Sequence, residues 1–240
     1  MRLSGMAIAS LLLVLPARAQ QVQDWHVCQE KEKTTLGNHV RSCTAIIRSD
    51  RSSSKDKAIA YNNRGNILRD RGELDRAIAD FDAAVRLEPK SADTYINRGI
   101  ARYRRGDLDR AIADYDEAIR IDPSDIAIFH DRGVMWQRNG ELDKALIDLD
   151  RAVRMSFADP EVYSDRGAVW FEKGRYDRAL ADFNQALKIA PGLASASIRR
   201  AAALDRKDRV RAELEPESRL DHGGLPADRP DRKPDSAGAR

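Results

Sequence analysis

Cysteine occurs twice and histidine four times in this 240-residue chain, which leaves little material for metal or nucleophilic chemistry. His26 and His39 sit beside the cysteines and His222 lies near the C-terminus, so only His130 falls in the middle of the chain. No glycine-rich phosphate loop, Gly-x-Ser-x-Gly elbow or His-Glu-x-x-His helix is present. The one long apolar run, Met6 to Leu15, is too short to span a bilayer as a permanent anchor. Charge of one sign is also scarce. The formal net charge is +3 and falls to about +1 once Arg2 and Arg18 are set aside, so there is no footprint for nucleic acid. Enzyme, metal and nucleic-acid chemistry thus have few residues to stand on. We expect no catalytic residues, no metal and no cofactor.

What the chain has instead is a period. An Arg-Gly pair recurs every 34 residues, at Arg64-Gly65, Arg98-Gly99, Arg132-Gly133 and Arg166-Gly167. A second glycine follows each pair at a fixed offset, at Gly72, Gly106, Gly140 and Gly174. A fixed period of this length marks a solenoid, in which each unit buries its apolar face against its neighbours. With Ala58 as position 1, position 4 is Tyr61, Tyr95, Phe129 and Tyr163, and position 24 is Phe81, Tyr115, Leu149 and Phe183. Position 20 is Ala77, Ala111, Ala145 and Ala179, and position 27 is Ala84, Ala118, Ala152 and Ala186. Position 32 is Pro89, Pro123 and Pro191, with Phe157 the exception. Positions 4, 8 and 11 share one helical face, and positions 20, 24 and 27 another. Each unit therefore reads as two helices, with the second glycine in the turn between them and the proline ending the second.

This pattern resembles the tetratricopeptide repeat family over residues 58 to 191, with degenerate flanks. Four units are expected, at 58–91, 92–125, 126–159 and 160–191. The resemblance implies an all-α fold, an alpha-alpha superhelix of helix-turn-helix units whose first helices line a concave groove. Two departures stand out. The family usually carries a large apolar residue at position 7, where this chain has arginine four times, and position 11 is Leu68, Arg102, Trp136 and Trp170.

The two ends differ from the array. Arg2, the apolar run and Ala17-Arg18-Ala19 have the order of a secretory signal peptide, expected at 1–19, with an uncleaved anchor or the ordinary start of a helix as the alternatives. The mature chain would then start at Gln20 in the periplasm or outside the cell. Residues 20–57 read as a degenerate helical cap, with Asp24 to Lys31 facing Val40 to Arg48. In an oxidising compartment the solitary pair Cys28 and Cys43 reads as a disulfide, against the alternatives of free thiols or a zinc site with His26 and His39. Residues 192–213 read as a capping helix, and 214–240, rich in proline and mixed charge, as a disordered tail.

In the resemblance, positions 2, 6, 9 and 13 line the groove. Here they are Ile59, Asn63, Asn66 and Asp70; Asp93, Asn97, Ile100 and Arg104; Ala127, Asp131, Val134 and Arg138; and Glu161, Asp165, Ala168 and Glu172. Position 6 matches the asparagine ladder with which some peptide-binding members hold an extended peptide's backbone. An amide can donate and accept, whereas the aspartates only accept when ionised. The competing reading is that position 6 makes bonds to neighbouring helices alone. Two functions of different class follow. One is a non-enzymatic scaffold binding an extended protein or peptide segment in the groove through Asn63, Asn66, Asn97, Arg104, Asp131, Arg138 and Asp165. The other is a structural adaptor in a cell-envelope assembly, using the convex face, the ends or the tail. The sequence leaves the oligomeric state open.

Each position-7 arginine is accompanied by an aspartate at position 23: Arg64 with Asp80, Arg98 with Asp114, Arg132 with Asp148, Arg166 with Asp182. At about 100° per residue both positions lie about 60° off the centre of their inward faces, in the same sense. In an antiparallel helix pair they meet. Four structural ion pairs are expected, with an acid in the neighbouring unit as the alternative partner.

Overall fold

The structure, a computed structural model, describes residues 17–29 and 36–214. The expected tail beyond Leu214, and all but the last three residues of the expected signal peptide, lie outside the described residues. Among the described residues the chain is wholly helical. A cap of α1 (Ala17–Gln29) and α2 (Leu36–Arg48) precedes four helix pairs: α3 (Ser54–Asp70) with α4 (Leu74–Leu87), α5 (Ala92–Arg105) with α6 (Leu108–Ile121), α7 (Ile126–Arg138) with α8 (Leu142–Met155), and α9 (Pro160–Glu172) with α10 (Tyr176–Ile189). A single helix, α11 (Ala194–Leu214), closes the stack. α1 begins at Ala17, so cleavage after Ala19 would remove its first three residues.

Each pair is joined by the same turn. Gly72, Gly106, Gly140 and Gly174 have φ between 70° and 91°, a left-handed conformation that a residue with a Cβ adopts at a cost. At the end of α5, Gly106 N–H donates to Tyr103 O and Asp107 N–H to Arg102 O, both at 2.9 Å. These two bonds form a Schellman motif that satisfies carbonyls the helix leaves open.

Two places depart from the repeat pattern. α3 starts at Ser54, one turn before Ala58, whereas the other first helices start at or next to position 1 of their units. Ser53 and Asp56 form a capping box that draws the extra turn into α3. The second is at Phe157, which stands where the other units have proline and is 70% exposed. α8 still ends at Met155, because Asp159 caps α9 and Pro160 occupies its first turn. The stop signal has moved three residues along the chain.

The core follows the repeat. Phe81, Tyr115, Leu149 and Phe183 at position 24 are fully buried, as are the alanines at position 20. Helices of successive units also pack, α4 on α5, α6 on α7 and α8 on α9. First helices touch the next first helix at α3–α5, α7–α9 and α9–α11, whereas no two second helices make a comparable contact. The stack therefore curves with the first helices inside, and their free stripe faces the groove.

The glycine at position 8 is fixed by close approach. A Cβ on Gly167 would lie 2.7 Å from Phe183 Cε1 and 3.2 Å from the Ala179 carbonyl. Gly167→Ala therefore trades the usual helix gain from alanine for a clash with a fully buried ring. We expect a net loss of about 1–3 kcal/mol in urea unfolding. A stabilised variant would show that the ring yields.

Candidate functional site: the arginine spine and the inner groove

Four arginines run along the stack. Arg64 Nε and Nη2 donate to the two carboxylate oxygens of Asp80, both at 2.7 Å. Arg132 and Asp148 repeat this at 2.7 Å twice, and Arg166 and Asp182 at 2.8 and 2.6 Å. Arg98 holds Asp114 through Nη2 at 2.6 Å and Nε at 3.1 Å. The remaining nitrogen, Nη1, reaches the preceding unit: Arg98 to Asp82 at 2.8 Å, Arg132 to Asp116 at 2.6 Å, Arg166 to Asp150 at 2.9 Å. Both partners considered from sequence are thus engaged by the same guanidinium. The position-23 aspartate orients the fork, and an aspartate at position 25 of the previous unit takes its third edge.

The ends of the stack use substitutes. Arg64 Nη1 donates to Thr44 of the cap at 2.8 Å, and Arg200 of α11 reaches Asn184 at 3.3 Å. Each of the four spine arginines also lies over the position-4 ring of its own helix, 5.2 to 6.0 Å from the centroid. Burial works against Arg98 and Arg132, but the bonds to Asp114 and Asp148 outweigh it and raise both above the ordinary arginine value. Burial also raises Asp114 and Asp182 above 3.8 in spite of their arginines. Two or more charge-assisted bonds hold each carboxylate.

The side chain of Asp148 is 4% exposed and that of Asp116 is 56% exposed. Asp148→Ala should cost about 3 kcal/mol in urea unfolding by stripping a half-buried guanidinium of its bidentate partner. Asp116→Ala should cost under about 1 kcal/mol. Equal losses would show that the two bonds share the load.

On the groove side, the position-6 residues are already partnered. Asn63 Nδ2 donates to the Cys28 carbonyl at 3.2 Å. Asn97 donates to Asn62 Oδ1 at 3.1 Å and accepts from Arg69 at 3.0 Å. Asp131 accepts the Tyr115 hydroxyl at 3.0 Å. Asp165 accepts from His130 and Arg199, each at 2.8 Å. These are stitches between neighbouring units.

Several partners were missed in the sequence: Asn62, Arg69, Tyr115, His130 and Arg199. The signal was there at a spacing of 35 residues, which pairs position 5 of one unit with position 6 of the next. Asn62 with Asn97, His130 with Asp165 and Ser164 with Arg199 obey it. Ile96 breaks the rule before Asp131, and there Tyr115, the one tyrosine at position 24, supplies the hydroxyl.

At position 13 the groove keeps charge. Arg104 is half-exposed and lies 3.7 Å from Asp70, and Arg138 stacks 4.9 Å from the Tyr103 centroid. The floor between them at position 9 is Asn66, Ile100, Val134 and Ala168. Cys28 and Cys43 form a buried disulfide with Cα atoms 4.9 Å apart. Their sulfurs are bonded to each other, which removes them as zinc ligands, and no cluster of metal-binding residues occurs among the described residues. No helix among the described residues is long and apolar enough to cross a membrane.

Residues 54–126 and 160–193 match models of the tetratricopeptide repeat. These two segments carry tetratricopeptide repeats, whose family members are typically non-catalytic scaffolds that bind protein or peptide partners. No match is found among curated proteins. Among solved structures it is similar to YrrB, described as a TPR protein with an unusual peptide-binding site, at 25% identity and TM-score 0.58, covering 75% of this chain and 96% of that one. It is also similar to MamA, at 21% identity and TM-score 0.59, covering 64% and 88%. A thermophilic TPR protein of Thermus thermophilus matches at 22% identity and TM-score 0.54, covering 78% and 96%. The latter two similarities concern the fold.

His130 gives the groove a titratable stitch. Burial pulls its pKa down, but the bond to Asp165 and the charges of Asp165, Asp131 and Asp159 hold it above 6.5. Burial likewise opposes ionisation of Asp165, and the bonds from His130 and Arg199 hold it below 3.8. The histidine's contribution is complete below 6.5 and lost as pH rises through its raised value. The aspartate's is complete above 3.8 and lost as pH falls through its lowered value. The difference in thermal midpoint between wild type and His130→Gln should be largest between about pH 4 and 6.5 and shrink in more alkaline buffer. A difference independent of pH would mean that the pair is not ionised.

Proposed function

We propose that this protein is a non-enzymatic protein–protein interaction scaffold that works outside the cytoplasm and holds an extended partner segment in its inner groove. The observation that carries this reading is the free stripe of the first helices. Its floor of Ile100, Val134 and Ala168 is apolar or small, and it is flanked by Arg104 and Arg138. An extended segment offers alternating side chains and open backbone groups, which suit a shallow trough of this kind. Similarity to YrrB, a TPR protein with a peptide-binding site, supports the same reading. The signal-like N-terminus and the buried Cys28–Cys43 bond support an oxidising compartment.

A second reading has its own observation. α11 packs on α10 and α9 without a following second helix and exposes Ile198, Leu204 and Leu214 at separate points around it, so the C-terminal end offers scattered apolar side chains to an envelope assembly. Capture of partners from a cell-envelope extract separates the two. Under the groove reading, Arg104→Ala with Arg138→Ala lowers capture about tenfold while stability changes by under about 1 kcal/mol. Removal of residues 215–240 leaves capture intact. Capture that survives the arginine changes and disappears with Ile198→Glu turns the assignment to the adaptor. Intact mass of the captured chain should start at Gln20 and contain two half-cystines.

A further inference from the structure

The cap and the first repeat enclose a cavity of about 150 Å³, lined by Cys28 and His39 on one side and by Asn63, Asn66, Ile67 and Asp70 of α3 on the other. It opens at the N-terminal end of the groove. Asn66 is 7% exposed, yet its Oδ1 has no hydrogen-bond partner among the described residues. Buried amides in folded proteins are nearly always satisfied, so an orphan of this kind asks for a partner beyond the side chains that line it. The repeat sharpens the point. Position 9 is Ile100, Val134 and Ala168 in the other units, and polar only where the cavity lies. Asn63, beside it, has its Nδ2 bonded to the Cys28 carbonyl, which leaves its oxygen as a second acceptor.

The charge around the cavity selects among donors. Asp70 is already bound by Arg69 at 3.1 Å and faces Arg104 at 3.7 Å, so two guanidiniums surround one carboxylate. With Asp70 engaged by both, an ammonium group finds no uncompensated carboxylate, and a carboxylate would meet the amide oxygens of Asn63 and Asn66. A neutral N–H donor meets neither obstacle. Ile67 and the Cys28 side chain supply apolar wall for a short hydrocarbon stem.

We propose that this cavity is a specificity pocket for a neutral carboxamide side chain, glutamine or asparagine, on the extended partner segment. The amide N–H donates to Asn66 Oδ1, which gains the partner it lacks. This assignment rests on the groove reading above and gives it a sequence preference at one end.

The test uses the 15N-labelled chain and three capped pentapeptides of alanine whose central residue is glutamine, norleucine or lysine. The glutamine peptide should shift the resonances of Asn63, Asn66 and Ile67 and bind about tenfold more tightly than the norleucine peptide. Asn66→Leu, close in volume, should remove that preference and raise the thermal midpoint, since it deletes an unsatisfied buried group. Equal binding of the three peptides, a preference for lysine, or an Asn66→Leu variant that keeps the preference overturns the pocket. Undiscriminating binding that shifts residues around Arg104 and Arg138 removes the pocket and keeps the groove. Glutamine-dependent shifts confined to the cavity keep the pocket and remove the groove.

Discussion

The spine arginine at position 7 is the contact on which the rest of the stack depends. One guanidinium makes three kinds of contact at once. Two of its edges grip the position-23 aspartate of its own unit, a third reaches position 25 of the unit before, and its face covers the position-4 ring. Only a planar fork with five donors can do this, and a lysine ammonium could not. The bidentate bond fixes how the two helices of a unit sit against each other, and the third edge fixes how that unit sits on its predecessor. Intra-unit and inter-unit geometry are therefore coupled through a single side chain, which suits a nearest-neighbour solenoid.

The coupling also explains the ends. A solenoid needs terminal elements that accept its last repeating contact without offering another. Thr44 accepts Arg64 with a neutral hydroxyl, and Asn184 accepts Arg200 with a neutral amide. Neither end brings in a buried charge that would lack a partner. The cap is thus joined by the same hydrogen bond as a repeat, although its helices have only a faint trace of the repeat pattern.

Much of this was legible from the chain alone, because a period of 34 residues superposes equivalent positions and lets four copies vote on each. The core at positions 4, 20, 24 and 27, the turn glycines and the position-23 aspartates all emerged that way. What escaped was the register between units. Comparing positions within a unit hides a bond between position 6 and position 5 or 24 of the unit before, so Asn97, Asp131 and Asp165 looked like open groove residues. Departures from the period were informative in a different way. Phe157 lost the proline stop, yet the helix ended on time because Asp159 and Pro160 supplied a start signal instead. Tyr115 and Ile96 depart in the same unit, and the first compensates for the second at Asp131.

Stitching position 6 into the fold shifts recognition elsewhere. Side chains that are already bonded cannot turn to a ligand without giving up a contact between repeats. Capacity for a partner is left at positions 9 and 13, where the floor is mostly apolar and the flanks carry charge. Asn66 is the polar exception on that floor, and it lies beside the one unit whose neighbour is the cap. Asn63 is oriented by the carbonyl of Cys28, and Cys28 is tied to Cys43 on the adjacent helix. The disulfide therefore does more than close the N-terminal end of the stack. It holds the acceptor that orients Asn63, and so sets one wall of the cavity into which the orphaned amide of Asn66 opens.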